Sequence, residues 1–275
     1  MNKASHPIGV FDSGYGGLTI FKSIEFLLPQ YDYIYIGDNA RAPYGNRSFE
    51  TVYEYTLQCV KEFFRMGCPL VIIACNTASA KALRTIQQHD LPEINEGHKV
   101  LGVIRPSAEV IGNYSKTGSV GVLGTVGTVA SNSYKIEIAK FFPQLKIYQQ
   151  ACPMWVPLIE EGEYNSESAD FYVQKYLDEL MEQSQDIDTI LLGCTHYPLL
   201  MDKIKKHLPA NISVVPQGDI VAASLADYLH RHPEVESKIS RNKEVKFYTT
   251  DAPEDFDNHA TIFFGKEVRS EHLHL

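Results

Sequence analysis

Two stretches of this chain follow the same plan: residues 70–81, "LVIIACNTASAK", and residues 189–200, "TILLGCTHYPLL". Each begins with a short apolar run and continues through a cysteine, Cys75 or Cys194, into small polar residues and a helix-like segment. Continuous apolar strands that alternate with helices are typical of parallel sheets covered on both faces. Because ligands of such sheets bind at the carboxyl ends of the strands, both cysteines stand where binding or chemistry is expected.

The alternation of short β-branched runs with amphipathic segments extends along nearly the whole chain. Residues 48–67, "SFETVYEYTLQCVKEFFRMG", predict a helix with Ser48 as N-cap and Gly67 as its stop. The pattern restarts near residue 99 with the strands "KVLGVI", "SVGVLGT" and "DTILLG", and "VGVLGTVGTV" resembles "IGVFDSGYGG". We interpret this as a weak internal repeat of two similar α/β units, whose facing strand ends would place the two cysteines on opposite walls of one cleft.

Composition narrows the class of protein. The chain has 275 residues, 44% of them hydrophobic, and a formal net charge of −9. An acidic balance without a basic run argues against a nucleic-acid footprint, and no apolar run approaches the ~20 residues that span a bilayer. The start, "MNKASHPIGVF", lacks the apolar core of a signal peptide, and the five cysteines are odd in number without CxxC spacing. We expect reduced thiols in a soluble, cytoplasmic protein that needs neither nucleic acid nor membrane.

The sequence context divides the five cysteines into two groups, three expected to serve packing and two expected to take part in chemistry. Cys59, Cys68 and Cys152 are expected to be buried packing residues, because free cysteine usually behaves as a small hydrophobe. Cys75 and Cys194 each lie at a strand-to-helix junction, where the helix N-terminus stabilises a thiolate. Their repeated context favours a chemical role for both.

Polar side chains accompany each thiol. Asp12 and Ser13 follow the first strand, and His196 lies two residues after Cys194, within reach of that thiol as a base or acid. Hydroxyls and amides at the other strand ends suit a small ligand that carries a carboxylate. These residues are Asn76, Thr77, Thr125, Thr128 and Thr195. Backbone amides of the loop "RAPYGNRS" at residues 41–48 are candidates to bind a second carboxylate.

Three mechanisms compete for these residues. A hydrolase or amidotransferase needs one cysteine, one histidine and one acid, which leaves Cys75 without a role. A zinc site formed by Cys75, Cys194 and His196 has acceptable ligand types but a weak spacing. Stereoinversion needs two bases of similar strength on opposite faces of a carbon atom. Two thiols meet that demand, with Asp12 managing the proton of one and His196 that of the other.

The ordered motifs resemble those of the glutamate racemase family. They are "GVFDSGYGGL", "APYG", "ACNTAS", "GTVGTV", "CPMWVPLIEEGE" and "GCTHYPLL", and the match runs from about residue 8 to about residue 256. Aspartate racemases share the two cysteine motifs in looser form, whereas the full set with "APYG" is more specific to glutamate. The resemblance implies interconversion of L- and D-glutamate without a cofactor or a metal, and supply of D-glutamate for peptidoglycan in a bacterial cytoplasm.

The resemblance also implies individual roles. Cys75 would take the α-proton of D-glutamate with help from Asp12, and Cys194 that of L-glutamate with help from His196. Glu160 would hydrogen-bond behind the histidine, although the pattern does not separate it from Glu161. The remaining roles concern substrate binding. Asp12 and Ser13 would lie near the amine, and Asn76, Thr77 and Thr195 would hold the α-carboxylate. Backbone amides of Tyr44 and Gly45, helped by Thr125 and Thr128, would bind the side-chain carboxylate. Pro43 and His196 are further expected substrate-binding residues.

The fold that follows is two similar three-layer α/β domains with mainly parallel sheets, facing a central cleft and related by a pseudo-twofold axis. The resemblance implies a first domain of residues 1–98 plus 212–275 and a second of residues 99–211, in a homodimer. The C-terminal "RSEHLHL" reads as an untethered tail. Two rival functions stay open: a racemase for another amino acid, aspartate above all, and a regulatory protein on the same fold, such as an inhibitor of a nucleic-acid enzyme.

Overall fold

The computed structural model describes residues 6–94 and 97–275, which form two β-sheets with helices packed against them. The strands are β1 Ile8–Asp12, β2 Tyr33–Gly37, β3 Leu70–Ile73, β4 Lys99–Gly102, β5 Ser119–Gly124, β6 Lys146–Ala151, β7 Thr189–Gly193, β8 Ser213–Val215, β9 Val245–Thr249 and β10 Ser270–His272. The helices are α1 Leu18–Leu27, α2 Phe49–Arg65, α3 Asn76–Lys81, α4 Leu83–Thr85, α5 Leu91–Ile94, α6 Ile104–Val110, α7 Val126–Ala130, α8 Ser133–Phe141, α9 Trp155–Glu160, α10 Glu167–Gln183, α11 Met201–Lys206, α12 Gly218–Arg231, α13 Pro233–Glu236 and α14 Pro253–Phe264.

The two sheets share one strand order. The first sheet runs β10-β9-β2-β1-β3-β4 and the second runs β6-β5-β7-β8. All the neighbouring strands of the described residues pair in parallel. The inner order β2-β1-β3-β4 is repeated by β6-β5-β7-β8, so β3 and β7 occupy equivalent positions. The predicted α/β class with two parallel sheets is therefore confirmed.

The first sheet is covered on both faces, as its continuous apolar strands predict. Alternate side chains of β1 enter different apolar clusters: Ile8 and Val10 pack with α1, whereas Phe11 packs with α2. Helix α2 begins as predicted, since the Ser48 hydroxyl accepts a hydrogen bond from the Thr51 amide at 3.1 Å. Because helices cover both faces of this sheet, a ligand can bind only at the ends of its strands.

Two short edge strands belong to the sheet opposite to the one predicted. The strand β4 pairs with β3, so residues 99–102 extend the first sheet, and β8 pairs with β7 in the second. An edge strand of three or four residues carries no sequence signal for its partner, which explains the error. The chain consequently crosses between the sheets after Gly102 and returns after Val215. The division into domains at residues 98 and 211 stays a prediction. The pairing of β4 and β8 would place each boundary about four residues later in the chain.

The C-terminal residues are not an untethered tail, which corrects a second expectation. Ser270–His272 forms β10 and pairs in parallel with β9 at the edge of the first sheet. Three residues without an apolar run gave no strand signal. The segment is also held by a hydrogen bond from the Ser270 amide to Asp257 and by burial of Leu273. Among the described residues, no helix combines the length and apolar character needed to cross a membrane. The expected absence of a signal peptide concerns in part residues 1–5, which lie outside the described residues.

Candidate active site

One cleft collects most of the predicted side chains from both sheets. Loops after β1 and β3 supply one side, and loops after β5 and β7 supply the other. The predicted residues that line it are Ser13, Pro43, Tyr44, Gly45, Cys75, Asn76, Thr77, Thr125, Glu160, Cys194, Thr195 and His196. Parallel strands present their carboxyl ends at one edge, which explains how residues distant in sequence meet. Asp12 and Thr128 lie behind this lining.

Asp12 is a buried carboxyl with one unsatisfied oxygen. Its side chain is fully inaccessible, and Oδ1 accepts a hydrogen bond from the Gly14 amide at 3.0 Å. No partner for Oδ2 exists among the described residues. Burial raises the pKa of Asp12 from 3.8 to about 6, although the nearby His196 opposes the shift. A buried acceptor without a donor is costly, so this oxygen is suited to receive a donor from a ligand.

Cys75 is placed as the N-cap of α3. Its Sγ accepts a hydrogen bond from the Ala78 amide at 3.4 Å and lies 3.5 Å from the Ser13 hydroxyl oxygen. Burial and the neighbouring Asp12 nevertheless raise the pKa of the thiol to about 12. With this pKa, the Cys75 thiol is protonated at neutral pH.

Cys194, His196 and Glu160 form a second cluster. His196 Nδ1 lies 3.9 Å from Cys194 Sγ, and Nε2 lies 3.1 Å from Glu160 Oε1. Burial lowers the pKa of His196, but the contacts with Cys194 and Glu160 outweigh it and raise the pKa to about 10. Glu161 is exposed, so the structure selects Glu160 as the partner. The imidazolium is thus held between a thiol and a carboxylate.

A cluster of three hydroxyls lies where the two units meet. Thr77 Oγ1 is 2.9 Å from Thr125 Oγ1 and 3.4 Å from Thr128 Oγ1. The loop after β2 reaches across at the same place, because the Gly45 carbonyl accepts from the Gly127 amide at 2.8 Å. Tyr44 anchors that loop by donating its hydroxyl proton to Asp38, whose side chain is buried. Of these hydroxyls, those of Thr77 and Thr125 belong to residues that line the cleft.

Few of the residues that line the cleft are charged. Among the described residues that line it there is no lysine or arginine, and the ionisable ones other than cysteine are Tyr44, Glu160 and His196. An acidic ligand would therefore meet hydroxyls, amides and helix N-termini. Within residues 6–94 and 97–275, no group of three or more His, Cys, Asp or Glu side chains has the arrangement of a metal site.

Sequence reasoning missed several residues around the site. Six further side chains line the cleft: Asn46, Val126, Cys152, Pro153, Val156 and Pro157. The motif "CPMWVPLIEEGE" contains four of them, but apolar residues and proline carry no chemical signal of their own. Phe263 of α14 packs edge-on against the His196 ring at 5.3 Å between centroids. Nothing in the sequence pattern connects that helix with the histidine.

Comparison with known proteins defines the class. A family model described as Asp/Glu/Hydantoin racemase matches residues 16–225. The match includes both thiol motifs and most of the cleft. The chain belongs to this family, and it is an amino-acid racemase.

Within that family the similarity is to glutamate racemases, which confirms the resemblance found in the sequence. The chain is 39% identical over 269 residues to glutamate racemase of Persephonella marina, covering 98% of this chain and 97% of the relative. The crystal structure of a Bacillus anthracis glutamate racemase matches with a TM-score of 0.89 at 33% identity, over 99% of both chains.

A Francisella tularensis glutamate racemase in complex with D-glutamate matches with a TM-score of 0.87 at 33% identity, over 99% of this chain and 98% of that one. An aspartate racemase from Picrophilus torridus matches with a TM-score of 0.54 at 17% identity, over 84% of this chain and 99% of that one, which shows the fold alone.

Proposed function

We propose that the protein interconverts L- and D-glutamate without a cofactor, by proton transfer between two thiols. The observation that carries the proposal is the placement of Cys75 and Cys194 at equivalent strand ends on a single cleft. Each thiol has its own polar partners, Ser13 and the buried Asp12 on one side and His196 on the other. A one-base or hydrolytic mechanism gives no role to the second thiol.

The reaction proceeds by removal of the α-proton on one face and delivery of a proton to the other. With D-glutamate, Cys75 takes the α-proton while Cys194 protonates the opposite face, and L-glutamate reverses the roles. Asp12 assists Cys75 and His196 assists Cys194, with Glu160 stabilising the imidazolium through the 3.1 Å contact with its Nε2. Proton transfer by positioned groups of this kind contributes typically 10²–10⁴-fold to a rate.

Neutral donors bind the two carboxylates of the substrate. Asn76, Thr77 and Thr195 hold the α-carboxylate, and Asp12 and Ser13 lie near the amine. Backbone amides of Tyr44 and Gly45, helped by Thr125 and Thr128, bind the side-chain carboxylate, and Pro43 and His196 are further binding residues. No lysine or arginine lines the cleft in the described part of the chain, which supports this mode of binding. The D-glutamate complex of the Francisella tularensis relative supports glutamate as substrate.

In the cell, the product D-glutamate is used for peptidoglycan, and therefore for cell-wall biogenesis and cell shape. The protein acts in a bacterial cytoplasm as a homodimer. These points follow from the family to which the chain belongs, and the match over nearly its full length supports them.

The test supplies pure L-glutamate and then pure D-glutamate to the unmutated protein in deuterated buffer. Optical activity and α-deuterium are followed together. Deuterium in the newly formed enantiomer, with little in the starting one, is the expected result of two distinct bases. Equal labelling of both enantiomers from the outset contradicts the two-thiol mechanism, and an absence of exchange contradicts glutamate as substrate and directs the same assay to aspartate.

The thiols are tested by substitution. Cys75→Ser and Cys194→Ser should each lower the racemisation rate by at least about 10²-fold, because a hydroxyl is a far weaker acid than a thiol. Cys68→Ala is the control, since Cys68 is buried in the first unit and does not line the cleft. Near-normal racemisation by either serine variant is incompatible with the proposal.

A further inference from the structure

Asn76 belongs to a closed ring of three hydrogen bonds in the interior. Asn76 Nδ2 donates to Gln217 Oε1 at 2.8 Å, and Gln217 Nε2 donates to the Tyr134 hydroxyl at 2.8 Å. Tyr134 completes the ring by donating to Asn76 Oδ1 at 2.6 Å. All three residues are buried. Around the ring each residue donates one hydrogen bond and accepts one, which is the arrangement in which buried hydrogen bonds reinforce one another.

The direction of the ring is set from outside it. Gln217 Nε2 also donates to the Val103 carbonyl at 3.2 Å and lies 2.7 Å from the Ser107 hydroxyl. A backbone carbonyl only accepts, so the Gln217 amide cannot turn over without placing its own oxygen against another acceptor. With Gln217 fixed, a reversed Asn76 amide would oppose two carbonyl oxygens. The orientation of Asn76 therefore follows from a backbone carbonyl two steps away.

The ring also joins the parts of the molecule that form the cleft. Asn76 follows Cys75 at the end of β3, whereas Tyr134 lies on α8 of the second unit. Val103 and Gln217 lie where the chain leaves the first sheet and where it returns from the second. One N–H of Asn76 Nδ2 is used by Gln217, and no second partner for this nitrogen exists among the described residues. Asn76 lines the cleft, so its second N–H is a candidate donor to a ligand bound there.

We propose that Gln217 and Tyr134 are positioning residues that hold the Asn76 carboxamide with its remaining N–H toward the α-carboxylate of the substrate. This inference rests on the proposed function for the identity of the ligand. The α-carboxylate is common to both enantiomers and is bound before, during and after proton transfer. Loss of the ring should accordingly weaken binding of L- and D-glutamate alike and leave the proton transfer step nearly intact.

The experiment compares Tyr134→Phe and Gln217→Met with control substitutions at two residues that do not line the cleft. Tyr33→Phe removes a buried hydroxyl that donates to the Leu28 carbonyl at 2.8 Å, and Gln87→Met removes an amide that donates to the Val100 carbonyl at 2.7 Å. The ring variants should raise KM for both enantiomers roughly tenfold with little change in kcat, the size expected for one lost hydrogen bond. Both controls should leave KM unchanged, while thermal unfolding reports any loss of stability.

A double-mutant cycle separates positioning from general disturbance. In an Asn76→Ala background, Tyr134→Phe should have no further effect on KM, because residues that act through one another are not additive. The inference is overturned if Tyr134→Phe matches Tyr33→Phe in KM, or if its effect multiplies with that of Asn76→Ala.

A measurement that needs no substrate tests the positioning of Asn76 independently of the proposed function. The side-chain amide of Asn76 is followed by ¹H–¹⁵N NMR in the free protein, its signal being identified by its loss in Asn76→Asp. Hydrogen exchange of the Asn76 side-chain N–H that is donated to Gln217 should be slow in the unmutated protein and at least tenfold faster in Tyr134→Phe, because a buried hydrogen-bonded group exchanges only on opening. An equal rate in both overturns the inference even if the protein does not racemise glutamate. Absence of racemisation with the expected exchange pattern overturns the proposed function alone.

Discussion

The buried carboxyl of Asp12 makes the stability of this protein depend on pH in an unusual direction. Asp12→Asn replaces it by an amide of nearly the same shape, which keeps an acceptor for the Gly14 amide, 3.0 Å from Oδ1. The substitution removes the ability to ionise. Burial raises the pKa of Asp12 from 3.8 to about 6, with the nearby His196 opposing the shift. The comparison of the two proteins therefore isolates the cost of a buried charge.

The sign and size of the effect follow from linkage. Because the folded pKa is raised, the folded protein binds more protons than the unfolded chain between about pH 4 and pH 6, and stability falls as the pH rises through this range. One pKa unit corresponds to about 1.4 kcal/mol, so the ionised Asp12 costs the wild type roughly 3 kcal/mol above pH 6. The Asp12→Asn variant cannot ionise at this position, so its stability does not fall for this reason as the pH rises. Its advantage over the wild type should widen by about 2 kcal/mol between pH 4.5 and pH 7.5.

The assay is urea unfolding of both proteins at several pH values across that range. Asp188→Asn is a suitable control. Burial raises the pKa of Asp188, but hydrogen bonds from Ser115 and Thr117 outweigh it and lower the pKa to about 2. Its contribution to stability changes only below about pH 4, so its difference from the wild type should stay flat. A flat difference for Asp12→Asn as well would refute the reasoning. In activity, Asp12→Asn should lose about 10²-fold or more in kcat/KM.

Two further substitutions test the second thiol cluster. Burial lowers the pKa of His196, but hydrogen bonds, one of them to Glu160, raise it to about 10. Glu160→Gln should move the alkaline limb of kcat/KM down by about one pH unit, and the exposed Glu161→Gln should not move it. Gly16→Ala would place a Cβ atom 2.4 Å from His196 Nδ1 and should lower kcat/KM at least about tenfold. Gly14→Ala meets nothing closer than 3.6 Å and should lose much less, and equal losses for the two glycines would contradict the packing argument.

The fold was predictable where the sequence pattern carries information about both faces of a sheet. The strand β3 is buried at all four positions, and its continuous apolar run gave the correct sheet class. The strand β4 was predicted but not the sheet that it joins, and β10 was not predicted, because pairing at an edge depends on backbone groups that every residue has. For the same reason the points at which the chain crosses between the sheets were predicted a few residues too early. The sequences of the short edge strands β4 and β8 do not indicate which sheet each one joins.

The candidate site was predictable where chemistry depends on a residue type. Cysteine, histidine and carboxylate at strand ends were sufficient to bring Cys75 and Cys194 to one cleft. The supporting residues were not predictable, because a glutamine such as Gln217 or a phenylalanine such as Phe263 has no pattern that distinguishes support from ordinary packing. Both reach the site from elements more than 60 residues away along the chain, Gln217 by a hydrogen bond to Asn76 and Phe263 by ring contact with His196.

The equivalent strands carry unequal proton-managing groups, and the difference matters for a two-base mechanism. Burial and Asp12 raise the pKa of Cys75 to about 12, so one wall stores a proton on sulfur. On the other wall, the contact between His196 and Glu160 stores a proton on the imidazole, 3.9 Å from Cys194. A substrate ammonium beside Asp12 Oδ2 would supply the donor that this oxygen lacks. In the proposed mechanism the positive charge of the same ammonium would favour the thiolate form of Cys75. Binding of the amino acid would thus make the two thiols more similar in their tendency to lose a proton, and proton transfer could proceed in both directions.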